Sequence, residues 1–172
     1  MILATIIWTK IVKIMLCKYV KSKEVKDLEN QVHAYNLKRN KESDKRYYSD
    51  RTAPELEKCI IHYSFLCGFF AEKVQSMGRQ IFKGEKPVFV RNNNTTGQSD
   101  ISVIIPGFSV RVEVKCLWTN DIYQNDAQKK YQRQVERAGG IYLIIREFAE
   151  FKNWLDSFIE KYNLKNERRK LF

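Results

Sequence analysis

The chain has 172 residues, 44% hydrophobic and 13% aromatic, which is enough for one domain with a real core and too apolar for a disordered protein. Its formal charge of +11 favours a polyanionic partner, either nucleic acid or an acidic membrane surface, and says nothing about fold. The four cysteines contain no CxxC pair and there are only two histidines, which argues against structural zinc and a disulfide framework and for a reducing cytoplasm.

Residues 1–9 are apolar, but Lys10, Lys13 and Lys18 interrupt the run well short of the ~20 residues a membrane span needs. The segment also lacks the basic start and cleavage site of a signal peptide. On a helical wheel Lys10, Lys13, Lys18 and Lys21 gather on one side, leaving Ile2, Ile6, Ile7, Ile11, Ile14 and Met15 to pack. An amphipathic helix is expected, with a peripheral membrane helix as the lesser alternative, and Met15 is a second candidate start.

From Lys21 to about Lys45 the sequence is charged and helix-favouring, with a thin apolar stripe of Val25, Leu28, Val32 and Tyr35 that Leu37 could extend. Residues 1–46 therefore read as an N-terminal helical arm, 47–165 as the main domain and 166–172, NERRKLF, as a basic tail. YYSDRT reads as a loop, and Pro54 with Glu55 and Glu57 opens a helix that stops at Gly68. FFAEKVQS and PVFVRN are strand-like, and Asn92, Asn93, Asn94 and Gly97 form a loop.

DISVII and FSVRVEVKCLW flank Pro106-Gly107, which predicts a β-hairpin. A helix over about 124–137 ends at Gly139-Gly140, and IYLII is a continuous apolar strand of the kind buried on both faces of a sheet. The last helix, about 147–162, carries Phe148, Phe151, Trp154, Leu155, Phe158 and Ile159 on one side. The fold class is α/β, a mixed sheet flanked by helices.

Asp100 opens one hairpin strand, while Glu113 and Lys115 lie at i and i+2 late in its partner, so their side chains leave the same face. Folding the hairpin brings residue 100 opposite the segment around 113, with Val112 and Val114 pointing the other way into the core. Two carboxylates that close repel unless a cation or proton lies between them. Hard oxygen donors of this kind suit Mg²⁺ or Mn²⁺, and a neighbouring lysine can orient water or offset charge on a phosphate transition state. A Glu-x-Lys on a strand is often a plain ion pair. Its apolar flanks make a purely structural pair costly here.

GQSD, the turn and VEVK together resemble the D…ExK core of the PD-(D/E)xK nuclease superfamily, and NDAQKKYQRQVERAGGIYLII resembles the helix, glycine pair and strand of its VRR-NUC branch. From about Tyr47 to Trp154, including YSDRTA and FFAEKVQSMGR, the chain is also similar to nuclease-like proteins of bacteriophages and mobile elements. The resemblance implies a restriction-endonuclease-like fold and divalent-metal (Mg²⁺ or Mn²⁺) hydrolysis of DNA, with branched, flap or junction structures among the candidate substrates. It implies Asp100, Glu113 and the backbone carbonyl of Val114 as metal ligands, and it leaves a homodimer open.

By the same resemblance Gln128 contacts the substrate or supports the centre, and Tyr131 lies one helical turn further on the same side. A further acid is either Glu72, which fits the phage-type pattern and is slightly favoured, or Glu57 on the first helix. Arg79, Arg91, Lys129, Lys130 and Arg133 flank the expected cleft, where each would neutralise phosphate. The competing readings are a nuclease-like fold that binds nucleic acid without cutting it and, resting on residues 1–20 alone, a membrane-associated protein.

Overall fold

The computed structural model describes residues 20–39, 47–74, 79–84, 86–90, 96–119 and 121–164. The expected amphipathic segment before residue 20, Arg91 and the basic tail lie outside the described residues.

Helix α1 (Lys23–Lys38) starts where the Ser22 side chain accepts a hydrogen bond from the Val25 N–H. Helix α2 (Ala53–Leu66) begins with Pro at its first turn, as expected, and ends before Gly68, whose φ of 86° suits only a glycine there. Strands β1 (Phe70–Lys73), β4 (Ile101–Ile105), β5 (Phe108–Val114) and β6 (Ile141–Ile145) form one sheet in the order β1-β4-β5-β6. The first two junctions are antiparallel and β5–β6 is parallel, so the sheet is mixed. Helix α3 (Asp126–Arg137) makes the crossover between the parallel strands, and α4 (Phe148–Lys161) closes the domain.

A separate two-stranded antiparallel sheet pairs β2 (Arg79–Lys83) with β3 (Lys86–Val90). Strand β3 is the PVFV segment; β2 is an addition to the sequence reading.

The core lies between one face of the large sheet and helices α1, α2 and α4. Alternate residues Ile101, Val103 and Ile105 of β4 and Val110, Val112 and Val114 of β5 supply the sheet side. Leu56 and Ile60 of α2, with Phe148, Phe151 and Leu155 of α4, supply the helical side. The aromatic stripe expected on α4 is this face.

Two features differ from the sequence reading. Helix α1 has the thin stripe expected of a solvated arm, yet Val25, Leu28 and Val32 all join the core cluster because α2 and α4 cover them. The carboxylate of Glu29 further ties it to the next segment by accepting the Tyr48 N–H at 2.6 Å. Strand β6 was expected to be buried on both faces, but it is an edge strand in which only Ile145 is buried. Helix α3, which has no fully buried residue, covers its outer face incompletely.

The YSD segment has a structural use. Asp50 is buried, and its carboxylate accepts the Phe148 N–H at 3.3 Å, satisfying one of the free donors at the start of α4. Among the described residues no helix is long and apolar enough to cross a membrane.

Candidate active site

The hairpin register pairs Ile101 with Val112, which sets Asp100 beside Glu113 at the end of the two strands. Asp100 is anchored there by its own side chain: Oδ2 accepts the Val114 N–H at 2.8 Å, and its carbonyl accepts the Val74 N–H at 2.7 Å. The turn that closes the hairpin combines Pro106 with Gly107 at φ 80°, the pattern of a type II turn.

Glu113 projects from the face of β5 opposite the core, yet it is only 1% exposed. Burial of a carboxylate on a sheet face requires partners, and three side chains provide them. Gln128 Nε2 donates to Glu113 Oε1, the Tyr142 hydroxyl donates to Oε2 at 3.1 Å, and Lys115 Nζ stands 3.4 Å from Oε1. Gln124 Nε2 in turn donates to the Tyr142 hydroxyl at 3.5 Å.

Lys115 is 4% exposed, and its ammonium is held mainly by Asp121, at 3.0 and 3.2 Å from the two carboxylate oxygens. Asp121 lies in the loop between the 3-10 turn Leu117–Thr119 and α3.

Gln128 is placed by the start of α3. The Asn125 side chain accepts the Gln128 N–H, and Gln128 Oε1 accepts the Asn125 N–H, each at 2.9 Å. This reciprocal capping commits the amide oxygen and leaves the amide nitrogen for Glu113. The same helix start abuts the loop before Asp100. A Cβ on Gly97 would lie 2.3 Å from the Ala127 carbonyl carbon, so only glycine lets the two backbones approach this closely.

The electrostatics follow from this packing. Burial, and then the charge of Asp100, pushes the Glu113 carboxyl up to about 7, against which Lys115 and the hydrogen bonds act only in part. Asp100 is also raised, by burial, despite the Val114 N–H. Burial pulls Lys115 down, but the carboxylates of Asp121 and Glu113 outweigh it and hold the ammonium above its ordinary value. The Tyr142 hydroxyl is raised by burial and by the charge of Glu113, which keeps it a hydrogen-bond donor.

The sequence candidates therefore divide. Asp100, Glu113, Lys115 and Gln128 form one cluster. Glu57, almost buried on α2, pairs with Lys73 at 2.5 Å on the core side of the sheet. Lys73 is also among the charges that favour ionised Asp100, so this lysine links Glu57 to the cluster. Glu72 is exposed on β1, paired in register with Ser102, and is not among the groups that hold Asp100 or Glu113. Tyr131 is half-buried with its ring edge-on to Tyr142, 6.3 Å between centroids. Lys129, Lys130 and Arg133 are exposed on α3, and Arg79 lies on β2 opposite Val90.

Tyr142, Asp121 and Gln124 belong to the cluster without any sequence cue pointing to them. The nearest signal is a tyrosine hydroxyl in the otherwise aliphatic run IYLII.

Glu113 is buried and Asp100 half-buried, and the charge of Asp100 opposes ionisation of Glu113, so the two form a donor pair that a divalent cation would neutralise. Mg²⁺ is commonly held by one or two carboxylates, with water and phosphate oxygens completing its shell. Asp100 and Glu113 fit such an ion as a minimal pair. Among the described residues, no group of three or more His, Cys, Asp or Glu side chains is arranged to hold a metal. Comparison with protein-family models, with curated proteins and with solved structures found no match for this chain.

Proposed function

We propose that this protein is a divalent-metal-dependent endonuclease that hydrolyses DNA phosphodiester bonds, on a restriction-endonuclease-like fold of the PD-(D/E)xK type with VRR-NUC-like features. The observation that carries this reading is the convergence of Asp100, Glu113, Lys115 and Gln128, from two hairpin strands and a separate helix, at one end of the sheet. The net charge of +11 and the exposed Lys129, Lys130 and Arg133 on the adjoining helix support a polyanionic substrate. Buried free thiols at Cys59, Cys67 and Cys116 support a reducing cytoplasm.

In this reading Asp100, Glu113 and the Val114 backbone carbonyl would hold Mg²⁺ or Mn²⁺. The bound ion would supply Lewis acidity toward a phosphate oxygen and lower the pKa of water. The chain's own contribution is positioning. Val114 N–H fixes one oxygen of Asp100, while Gln128 and Tyr142 fix the two oxygens of Glu113. Lys115 keeps a protonated ammonium beside the pair, where it offsets negative charge that develops on the phosphate in the transition state. Asp121 keeps that ammonium in place until substrate phosphate competes for it.

The test is incubation of the purified protein with linear, flap and four-way-junction DNA in Mg²⁺ or Mn²⁺. Cleavage that disappears in Glu113→Ala and Lys115→Ala supports the reading. Intact DNA on all three substrates, or cleavage that survives Glu113→Ala, overturns it.

A second reading, a module that binds nucleic acid without cutting it, is favoured by the fact that both oxygens of Glu113 already have protein partners. It expects salt-sensitive DNA binding that is indifferent to EDTA and to Asp100→Asn, with no cleavage.

A further inference from the structure

On the β6 side of Glu113, away from Asp100, the surface opens into a cavity of about 220 Å³ lined by Ile122, Tyr123, Gln124, Lys129, Ile144 and Arg146. It borders the carboxylate cluster directly. Ile144 is in register with Glu113, and Gln124 donates to the tyrosine that holds Glu113.

Its lining combines three chemistries. Ile122 and Ile144 give an apolar floor, and Tyr123 offers an aromatic ring that is 84% exposed. Lys129 and Arg146 supply cations. Among the described residues Lys129 pairs only with Asp126, at 3.5 Å with both side chains largely solvated, and the Arg146 guanidinium makes no ion pair. Gln124, donating through Nε2 to Tyr142, keeps its amide oxygen for an incoming donor.

We propose that this cavity receives one unpaired nucleotide of the substrate strand beside the cleavage site, with Tyr123 stacking on its base and Lys129 and Arg146 meeting its phosphate. The inference rests on the nuclease reading and narrows its candidate substrates, by way of this cavity, to DNA with a single-stranded or frayed segment next to the cut. The cavity is smaller than the ~300 to ~1,000 Å³ of pockets for drug-sized ligands, which suits one base of a strand whose remainder stays outside it. Pairing decides against intact duplex, because a stacked base pair does not offer a free base face to an aromatic ring. A ring, an amide and two cations around an apolar floor match a base and its phosphate.

The experiment measures binding of the full chain in EDTA, by fluorescence anisotropy, to a blunt duplex and to the same duplex with a short single-stranded extension. Stacking on one aromatic ring predicts about 10-fold tighter binding of the extended DNA, lost in Tyr123→Ala and kept in Tyr123→Phe. Because Tyr123 is so exposed, its replacement does not threaten the fold, and a thermal melt checks this. Equal binding of the two DNAs by the unsubstituted protein, or a preference unchanged in Tyr123→Ala, overturns the proposal. So does a free deoxynucleoside monophosphate that binds and is not displaced by the extended strand, since that assigns the cavity to a free nucleotide. The same DNAs with added Mg²⁺ separate this inference from the nuclease reading. Cleavage without the binding preference removes the cavity's role alone, whereas the preference without cleavage supports the cavity and removes the nuclease.

Discussion

Gln128 presents its amide nitrogen to Glu113 because its amide oxygen is already committed to the Asn125 N–H. The start of α3 thus orients a side chain of the cluster through an ordinary capping interaction. Gln128→Glu preserves the cap but sets a second carboxylate against a buried one, while Gln128→Ala removes both contacts. Substitutions among groups that orient metal ligands typically cost ~10–100-fold in metal affinity or activity. Gln128→Ala should therefore lose at least about 10-fold in DNA cleavage and in Mn²⁺ affinity measured by calorimetry. Unchanged Mn²⁺ binding in Gln128→Ala would show that the amide has no part in holding Glu113.

The pH dependence of stability has a definite sign at this site. The folded protein binds the Glu113 proton more tightly than the unfolded chain does, since burial and Asp100 raise its carboxyl from 4.5 to about 7. Its stabilising contribution is full below about pH 4.5 and is lost as pH rises through about 7, a change on the order of 3 kcal/mol. Asp100 acts in the same direction. Urea unfolding should therefore give a lower midpoint at about pH 8 than at about pH 5, and Glu113→Gln should flatten much of that difference. Added Mg²⁺ should restore stability at the higher pH if the pair binds it, and EDTA should remove the gain. An identical pH profile for Glu113→Gln would exclude Glu113 as its source.

The parts of this architecture that could be read in advance are those set by local chain geometry. The hairpin closes at Pro106-Gly107, so strand alternation alone brings Asp100 opposite Glu113 and turns Val112 and Val114 inward. Tyr142 and Asp121 are different. Tyr142 reaches Glu113 through a parallel pairing across a crossover helix, and Asp121 reaches Lys115 from a loop, neither of which leaves a periodic signal. Strand β2 is equally silent, because Arg79, Gln80 and Lys83 give RQIFK no alternation of apolar and polar residues. For α1 the stripe was visible but its burial was not, since coverage by α2 and α4 is a tertiary property.

Gly97 and Gly107 share a φ of 80° but face different surroundings, which makes them a matched pair for experiment. Replacing Gly107 with alanine adds a Cβ that meets nothing within 4 Å, so only the backbone cost of ~1–2 kcal/mol applies. At Gly97 the same change also drives the Cβ to 2.3 Å from the Ala127 carbonyl carbon, and backbone cannot give way as a side-chain tip can. For a chain of this size ~1 kcal/mol corresponds to a shift of about 2–4 °C in Tm. Gly97→Ala should therefore melt well below Gly107→Ala in calorimetry, and it should also weaken the Gln128–Glu113 contact by pushing α3 off its loop. Equal melting of the two variants would mean that the close approach at residue 97 carries no weight.

Helix α1 offers the sharpest test of domain organisation. A detached arm would tolerate truncation of its apolar stripe with no more than the ~0.5 kcal/mol usual at a surface. Leu28, however, is 1% exposed and sits in the same cluster as residues of α2 and α4. Leu28→Ala removes its side chain from a covered position and leaves a cavity, at a cost of about 2–5 kcal/mol. Leu37, on the same helix but 41% exposed, should take the same change at almost no cost. Chemical denaturation of the two variants distinguishes the cases: a large loss for Leu28→Ala beside a small one for Leu37→Ala means that α1 is part of the folded unit, and similarly small losses for both would make it an arm after all.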